Sequence, residues 1–392
     1  MAAREARPVP LADRSPSVKI AAFAASLIAG LALIIGGGLA LAPEGNGAGT
    51  FEAAIAVIAL LYAGLIAWYF IQILRAPGAV RRSAGGEDPV DRSLASAYTE
   101  AEERLKQAAE KKPAPNGLQS LPWVAVLADS AGAGGFLRRA TRHSPIANPR
   151  RDDPTETPHL RWFLAPEFAA LDIDLAKTKG PAREETWVRF LRFLRTKRAG
   201  RAIDGIVALV SVDTLQAPAA HLGELGSELA RFCDAAAAQA GSDIPVTVVI
   251  TRCDLVPGIQ ILAGRLGTQA LGQAVGWWPN AAQRQGMADE TTIRTGIEQI
   301  DDRLRAAGLA LIGRESDSAI KLSICESIES LARSLAALEP FLNAAFAGRR
   351  ASRLGGVFLA GESIPGTMPG DMGLFVDDLT RRFVPRLRDL VA

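Results

Sequence analysis

The chain has 392 residues and a formal net charge of +2 at pH 7, with 44 Lys and Arg against 42 Asp and Glu. This length leaves room for two or three domains, and the balanced charge provides no global field that would favour nucleic acid. The three cysteines, Cys233, Cys253 and Cys325, are far apart and form no cluster with the three histidines. The sequence therefore predicts neither a disulfide framework nor a metal site.

Two long uncharged segments follow a basic N-terminal tail (1–19). They are Ile20–Ala42 and Ala53–Leu74. A helix of either length spans about 30 Å, the thickness of a bilayer core, so the sequence predicts a transmembrane hairpin over 20–74. The alternative is a pair of buried core helices, although such helices are rarely apolar on every face.

Positive charge predicts the orientation of this hairpin. Lys and Arg precede the first segment and follow the second, whereas the connecting loop Pro43–Thr50 has none. The positive-inside rule then places both termini in the cytoplasm, in a two-pass topology.

A linker with a charged helix is expected over 75–118. The helix covers Asp91–Lys112, is rich in Glu, Lys and Arg, and ends before Pro113. Such composition is typical of a solvated or partner-facing helix.

Alternating strand and helix patterns occupy the next region, 119–260. Short apolar runs such as Trp123–Leu127, Ala169–Ile173, Ile206–Val210 and Val246–Ile250 are typical of parallel strands buried on both faces. The sequence therefore predicts an α/β fold, a doubly wound parallel sheet like that of P-loop GTPases. A helical insertion is expected over 261–350, and a returning strand with a C-terminal helix over 351–392.

A phosphate-loop position follows the first strand of this region. A working P-loop reads G-x-x-x-x-G-K-[ST], with backbone N–H groups and a Lys on the phosphates and a Ser or Thr on Mg²⁺. In Ala128–Gly135 the glycine Gly132 remains, but Gly134 and Gly135 occupy the Lys and Ser/Thr positions. A plain Gly-rich turn is the alternative.

Two further segments are typical of a GTPase site. Asp172 or Asp174 at a strand end could hold Mg²⁺, and the sequence leaves this choice open. Thr251, Arg252 and Asp254 occupy the place of the guanine-reading [NT]-K-x-D motif, where the carboxylate would accept from the base and the Arg would pack on it. Turn or cap residues are the alternative for both segments.

In their order along the chain, several segments resemble the IcmF/TssM family of type VI secretion system inner-membrane proteins. The resemblance is carried by Leu121-Pro122-Trp123, Arg161-Trp162-Phe163, Thr186–Leu194, Arg201–Ile206, Ser211–Leu215, Thr251–Leu255 and Leu354–Phe358. It covers only the N-terminal portion of the family, which continues into a third span and a periplasmic domain. A resemblance limited to this portion is consistent with a split subunit, a shortened paralogue or a decayed gene product.

The resemblance implies a non-catalytic scaffold subunit in the bacterial inner membrane. Its partners would be other membrane subunits, cytosolic baseplate-type subunits and the lipid bilayer, with no nucleic acid. Candidate contact surfaces are the helix Asp91–Lys112 and a basic face; an ordinary solvated surface is the alternative for both. The basic face consists of Arg189, Arg192, Arg195, Lys197 and Arg198.

The missing Lys and Ser/Thr predict that the chain is not an enzyme and holds no cofactor, because phosphoryl transfer depends on those groups. The alternative is a membrane-tethered GTP-binding switch or slow GTPase that binds GTP and Mg²⁺ weakly. The vestigial nucleotide positions under either reading are Gly132, Gly134, Gly135, Asp172, Asp174, Thr251, Arg252 and Asp254.

Overall fold

A computed structural model describes residues 89–110, 117–129, 133–146, 148, 160–173, 175, 181–198, 201–280, 287–349, 351–362 and 373–390. The chain separates into two compact units, Met1–Gly86 and Glu87–Ala392, and the described residues all belong to the second unit.

The predicted fold class is corrected in one respect, because no transmembrane hairpin is seen among the residues that the structure describes. No helix within the described ranges is long and apolar enough to cross a membrane. The longest of them, Glu290–Ile312, has charged residues along its sequence, as expected of a helix with one face in water. The segment 20–74, to which the hairpin was assigned, lies outside the described residues.

One mixed sheet organises the second unit. Its seven strands follow the order β2-β3-β1-β4-β5-β7-β6. The central strands β3, β1, β4, β5 and β7 run parallel, and β2 and β6 are antiparallel strands at the two edges. The strands are β1 Trp123–Ala128, β2 Leu160–Leu164, β3 Ala169–Ile173, β4 Gly205–Ser211, β5 Ile244–Thr251, β6 Val275–Trp277 and β7 Ser352–Leu359.

Nine α-helices are assigned within the described ranges. They are α1 Pro89–Ala109, α2 Gly134–Ala140, α3 Pro181–Lys197, α4 Ala219–Ala240, α5 Ile259–Arg265, α6 Thr268–Gly272, α7 Glu290–Ile312, α8 Ser318–Ala337 and α9 Glu339–Phe346. Short 3₁₀ turns lie at Leu118–Ser120, Thr214–Gln216, Cys253–Leu255 and Pro385–Leu390, and a π-helical turn lies at Leu379–Phe383.

Both faces of the sheet are buried. On one face, side chains such as Ile206 and Val248 pack with α1, α3, α4 and the helices α7 to α9. On the other face, Val207 and Val249 pack with α2 and with the C-terminal segment, including Leu387. All residues of β4 and β5 are buried, which explains why their sequences are continuous apolar runs.

Arginines from neighbouring helices cover both sheet edges. Arg104 of α1 donates to the carbonyl of Trp162 in β2 at 3.2 Å, and Arg303 of α7 donates to the carbonyl of Gly276 in β6 at 3.1 Å. Asn148 also donates to the carbonyl of Leu164 and accepts from its amide. These contacts satisfy edge groups that would otherwise be available for pairing with another chain.

Candidate functional site

The predicted site residues that the structure describes lie at or near the ends of the parallel strands. The carboxyl ends of parallel strands meet at one edge of a sheet, and open α/β sheets bind ligands there. Residues that follow four of these strands carry polar side chains. They are Asp129 after β1, Asp213 after β4, Arg252 and Asp254 after β5, and Glu362 after β7.

The loop after β1 leads directly into α2. Gly134 and Gly135 are the first two residues of this helix, and Gly132 lies outside the described residues. A Cβ atom added to Gly135 would overlap the carboxylate of Glu362, whereas one added to Gly134 would come within 3.1 Å of the Arg138 guanidinium. The Glu362 carboxylate therefore occupies the space beside Gly135, and a side chain at position 135 would have to displace it.

Asp129 links β1 to β4. Its Oδ2 accepts from the amide of Ser211 at 2.7 Å and from the hydroxyl of Thr214 at 2.6 Å. Sequence reasoning missed this residue, although an Asp directly after a buried strand is a signal that could have found it.

Asp172 lies inside β3, beside Val126 of β1, and it is buried. Its Oδ2 accepts from Nη2 of Arg161 in the antiparallel neighbour β2 at 2.5 Å. The ion pair gives this buried carboxylate a structural partner. Asp174, the alternative Mg²⁺-side residue, lies outside the described residues.

The T-R-x-D segment is bonded to neighbouring strand ends. Thr251 is the last residue of β5, and its carbonyl accepts from the amide of Val212 at 3.1 Å. Arg252 adopts a left-handed backbone conformation with φ of 60°, which non-glycine residues rarely adopt, and its Nη1 pairs with Asp213 at 2.5 Å. Oδ1 of Asp254 accepts from the amide of Glu362 at 2.8 Å.

Together these contacts join four strand ends, and we call them the strand-end links. Asp129 joins β1 to β4, the pair Asp213–Arg252 joins β4 to β5, and Asp254 joins β5 to the residues after β7. The structure thus brings Arg252 and Asp254 of the predicted site into one bonded network. Asp172 belongs to a separate ion pair on the β2 side of the sheet.

Cys253, in the middle of the T-R-x-D segment, is not a reactive thiol. It is buried, and its Sγ donates to the carbonyl of Ile250 at 3.4 Å. Burial raises the pKa of this thiol to about 12, so it stays protonated at neutral pH. Within the described ranges no three His, Cys, Asp or Glu side chains lie together as a metal site would need.

Several residues of the two predicted contact surfaces pair within the chain. Arg189 of α3 makes two hydrogen bonds to Asp91 of α1, at 2.9 and 3.0 Å. Arg198 pairs with the buried Asp204, and Lys197 lies 5.1 Å from the ring centroid of Tyr98. The first and last of these contacts join α3 to α1, and the Arg198–Asp204 pair joins the end of α3 to the residue before β4.

Comparison with known protein families identifies this α/β unit. A sequence model of the IcmF-related N-terminal domain matches residues 182–391, more than half of the chain. The chain therefore belongs to the IcmF-related family, and the family predicted from the sequence is confirmed. No curated protein and no solved structure matches it.

Because it belongs to this family, the chain is a component of IcmF-like, type VI-related secretion machinery. It implies membership of a secretion complex and suggests association with the inner membrane.

Proposed function

We propose that this chain is a non-catalytic scaffold subunit of its secretion complex, with a degenerate nucleotide site in its α/β unit. It would sit at the cytoplasmic side of the inner membrane, in contact with the lipid bilayer and with other membrane and cytosolic baseplate-type subunits. The unit would hold no cofactor and act by presenting a fixed surface.

The position of Glu362 is the observation that carries this proposal. Its carboxylate lies against Gly135 at the start of α2, the position that corresponds to the Mg²⁺-binding Ser or Thr of a P-loop. Two like unit charges about 4 Å apart repel each other by about 4 kcal/mol at an effective dielectric constant of 20. A phosphate at this position would meet a negative charge where a working loop supplies Lys and Mg²⁺.

The strand-end links support the same proposal. A guanine-reading carboxylate must be available to the base, but Asp254 accepts from the amide of Glu362. Arg252, the candidate for packing on the base, pairs with Asp213. A guanine base would compete with these bonds for Oδ1 of Asp254 and for the Arg252 guanidinium, and each charged hydrogen bond contributes roughly 1.5 to 3 kcal/mol.

The alternative is a GTP-binding switch or slow GTPase. It requires Asp254 to recognise guanine, so Asp254→Asn should change the preference among nucleotides. If bound nucleotide is indifferent to that substitution, Asp254 does not read the base.

Dependence of complex assembly on nucleotide tests the scaffold proposal. The full-length chain is isolated from cells with its associated subunits, and one half of the sample is depleted of nucleotide with apyrase. A scaffold retains the same set of subunits in both halves. Loss of subunits on depletion, with recovery on adding GTP and Mg²⁺, would instead support the switch.

A further inference from the structure

An apolar patch lies on the outer side of α7 and α8. These two helices are joined by five residues, 313–317, and form an antiparallel pair. Leu309 and Leu322 are each 69% exposed, the highest values among the large hydrophobic side chains within the described ranges. Cys325 is exposed as well. We call Leu309, Leu322 and Cys325 the α7–α8 patch.

A salt bridge fixes the register of the two helices. Nη1 of Arg305 contacts Oε1 of Glu329 at 2.5 Å. Leu309 lies one turn after Arg305, and Cys325 lies one turn before Glu329. Both therefore lie about 6 Å from the salt bridge, on the side of the connection 313–317. Leu322 is three residues closer still and on the same side of α8 as Cys325. Helix geometry therefore places the three side chains on one side of the helix pair.

Charges of opposite sign flank the α7–α8 patch. Arg314 and Lys321 lie at its connection end, and Asp302 and Glu326 lie on the side toward the middle of the helices. None of these four side chains forms an ion pair with another residue in the described part of the chain. Basic groups on one side and acidic groups on the other make the surface complementary to a rotated copy of itself.

We propose that the α7–α8 patch is a contact between two copies of this chain. The two copies are related by a two-fold axis that lies in the contact plane and crosses both helices at the level of Leu309 and Cys325. Arg314 lies in the turn just after α7, on one side of Leu309, and Asp302 lies about 10 Å along the helix axis on the other side. The two-fold rotation brings Arg314 of one copy opposite Asp302 of the partner subunit, and the reverse. Four helices then bury the leucines at the centre of the contact.

The same charges argue against lipid as the occupant of the patch. An anionic membrane surface would repel the carboxylates of Asp302 and Glu326 next to the leucines. This inference does not depend on the proposal about nucleotide, because no residue of the strand-end links takes part in it.

Cross-linking through Cys325 tests the proposal in the full-length protein. Cys233 and Cys253 are buried, which leaves Cys325 as the exposed thiol among the three cysteines of the chain. A short bis-maleimide should join two copies, because the two-fold axis brings both Cys325 side chains together. The product should have twice the mass of the chain.

A matched control moves the exposed thiol out of the patch. Cys325→Ser combined with Met287→Cys places it at another exposed position, roughly 30 Å away along α7. This variant should give only the product of random collision. Equal yields from the two proteins would overturn the proposal, as would the absence of a dimer or a product with a different protein.

Charge reversal tests the pairing itself. Arg314→Asp should lower the yield of cross-linked dimer about fivefold, since two symmetry-related pairs are lost. Adding Asp302→Arg to that variant should restore the yield. Within one copy these residues are too far apart to pair, so restoration requires a second copy, and failure to restore the yield would contradict the two-fold arrangement.

Discussion

Removing the buried carboxylate of Asp204 should destabilise the α/β unit strongly. One oxygen, Oδ2, accepts from the amide of Trp123 at 2.7 Å and from Nη1 of Arg198 at 2.5 Å. The Arg198 side chain is 10% exposed and that of Asp204 is 4% exposed. Asp204→Ala would therefore leave a buried guanidinium without its counter-ion at the start of β1.

The size of the effect follows from these burials. Breaking a buried ion pair by removing one partner costs about 3 to 5 kcal/mol, because the remaining charge is left uncompensated. The amide of Trp123 would also lose its acceptor. In the double variant Asp204→Ala/Arg198→Leu only that amide remains unpaired, which costs about 1 to 3 kcal/mol. The double variant should therefore be more stable than the single variant.

Urea unfolding of the full-length protein, followed by tryptophan fluorescence, measures both effects. Trp123, Trp162 and Trp187 are fully buried, so their emission reports on the α/β unit. The expected order of midpoints is wild type, then the double variant, then Asp204→Ala. A single variant within about 1 kcal/mol of wild type, or a double variant no more stable than the single one, would refute this reasoning.

Three further outcomes follow from individual contacts. Gly135→Ala should change the melting temperature little, because its Cβ would overlap only the end of the flexible Glu362 side chain, which can move aside, and Ala suits a helix better than Gly; a large loss would show that Glu362 is held in place. Burial, and then the hydrogen bond with Glu102, raise the pKa of Tyr98 to about 12, so its contribution to stability is complete below pH 10 and should be lost as pH rises through 12. Unfolding of wild type and Tyr98→Phe over that pH range checks this, and parallel curves would contradict it. The hydrogen bond from Thr292 holds the pKa of Asp289 below its usual value, so this cap of α7 stabilises the fold above pH 4 and is lost as pH falls through the lowered pKa. Asp289→Ala should remove that part of the acid dependence, and an unchanged acid profile would show that the cap contributes nothing.

Central strands could be located from sequence, but edge strands could not. Val246–Ile250 lies inside β5 because a strand buried on both faces is apolar throughout. The edge strand β2, Leu160–Leu164, contains Arg161 and forms a single antiparallel pairing, so it has no continuous apolar run. β6 has only three residues and lies within the region predicted to be helical.

The positions of the candidate site residues could be predicted more readily than their partners. The sequence predicts a site role for Asp254 because it follows a strand, and the structure places it at the sheet edge where ligands bind in this fold class. Its bond to the amide of Glu362 joins residues 108 positions apart. A contact of that range depends on the strand order of the sheet, which the local pattern around Asp254 does not contain.

Calorimetric titration of the full-length protein with GTP and Mg²⁺, with GDP and ATP alongside, tests the central claim most directly. A carboxylate against Gly135 and a bonded Asp254 predict no binding at concentrations up to about 1 mM, which corresponds to a binding free energy weaker than about −4 kcal/mol. Micromolar binding selective for guanine nucleotides would contradict the account, because it would show that the strand-end links open to admit a ligand.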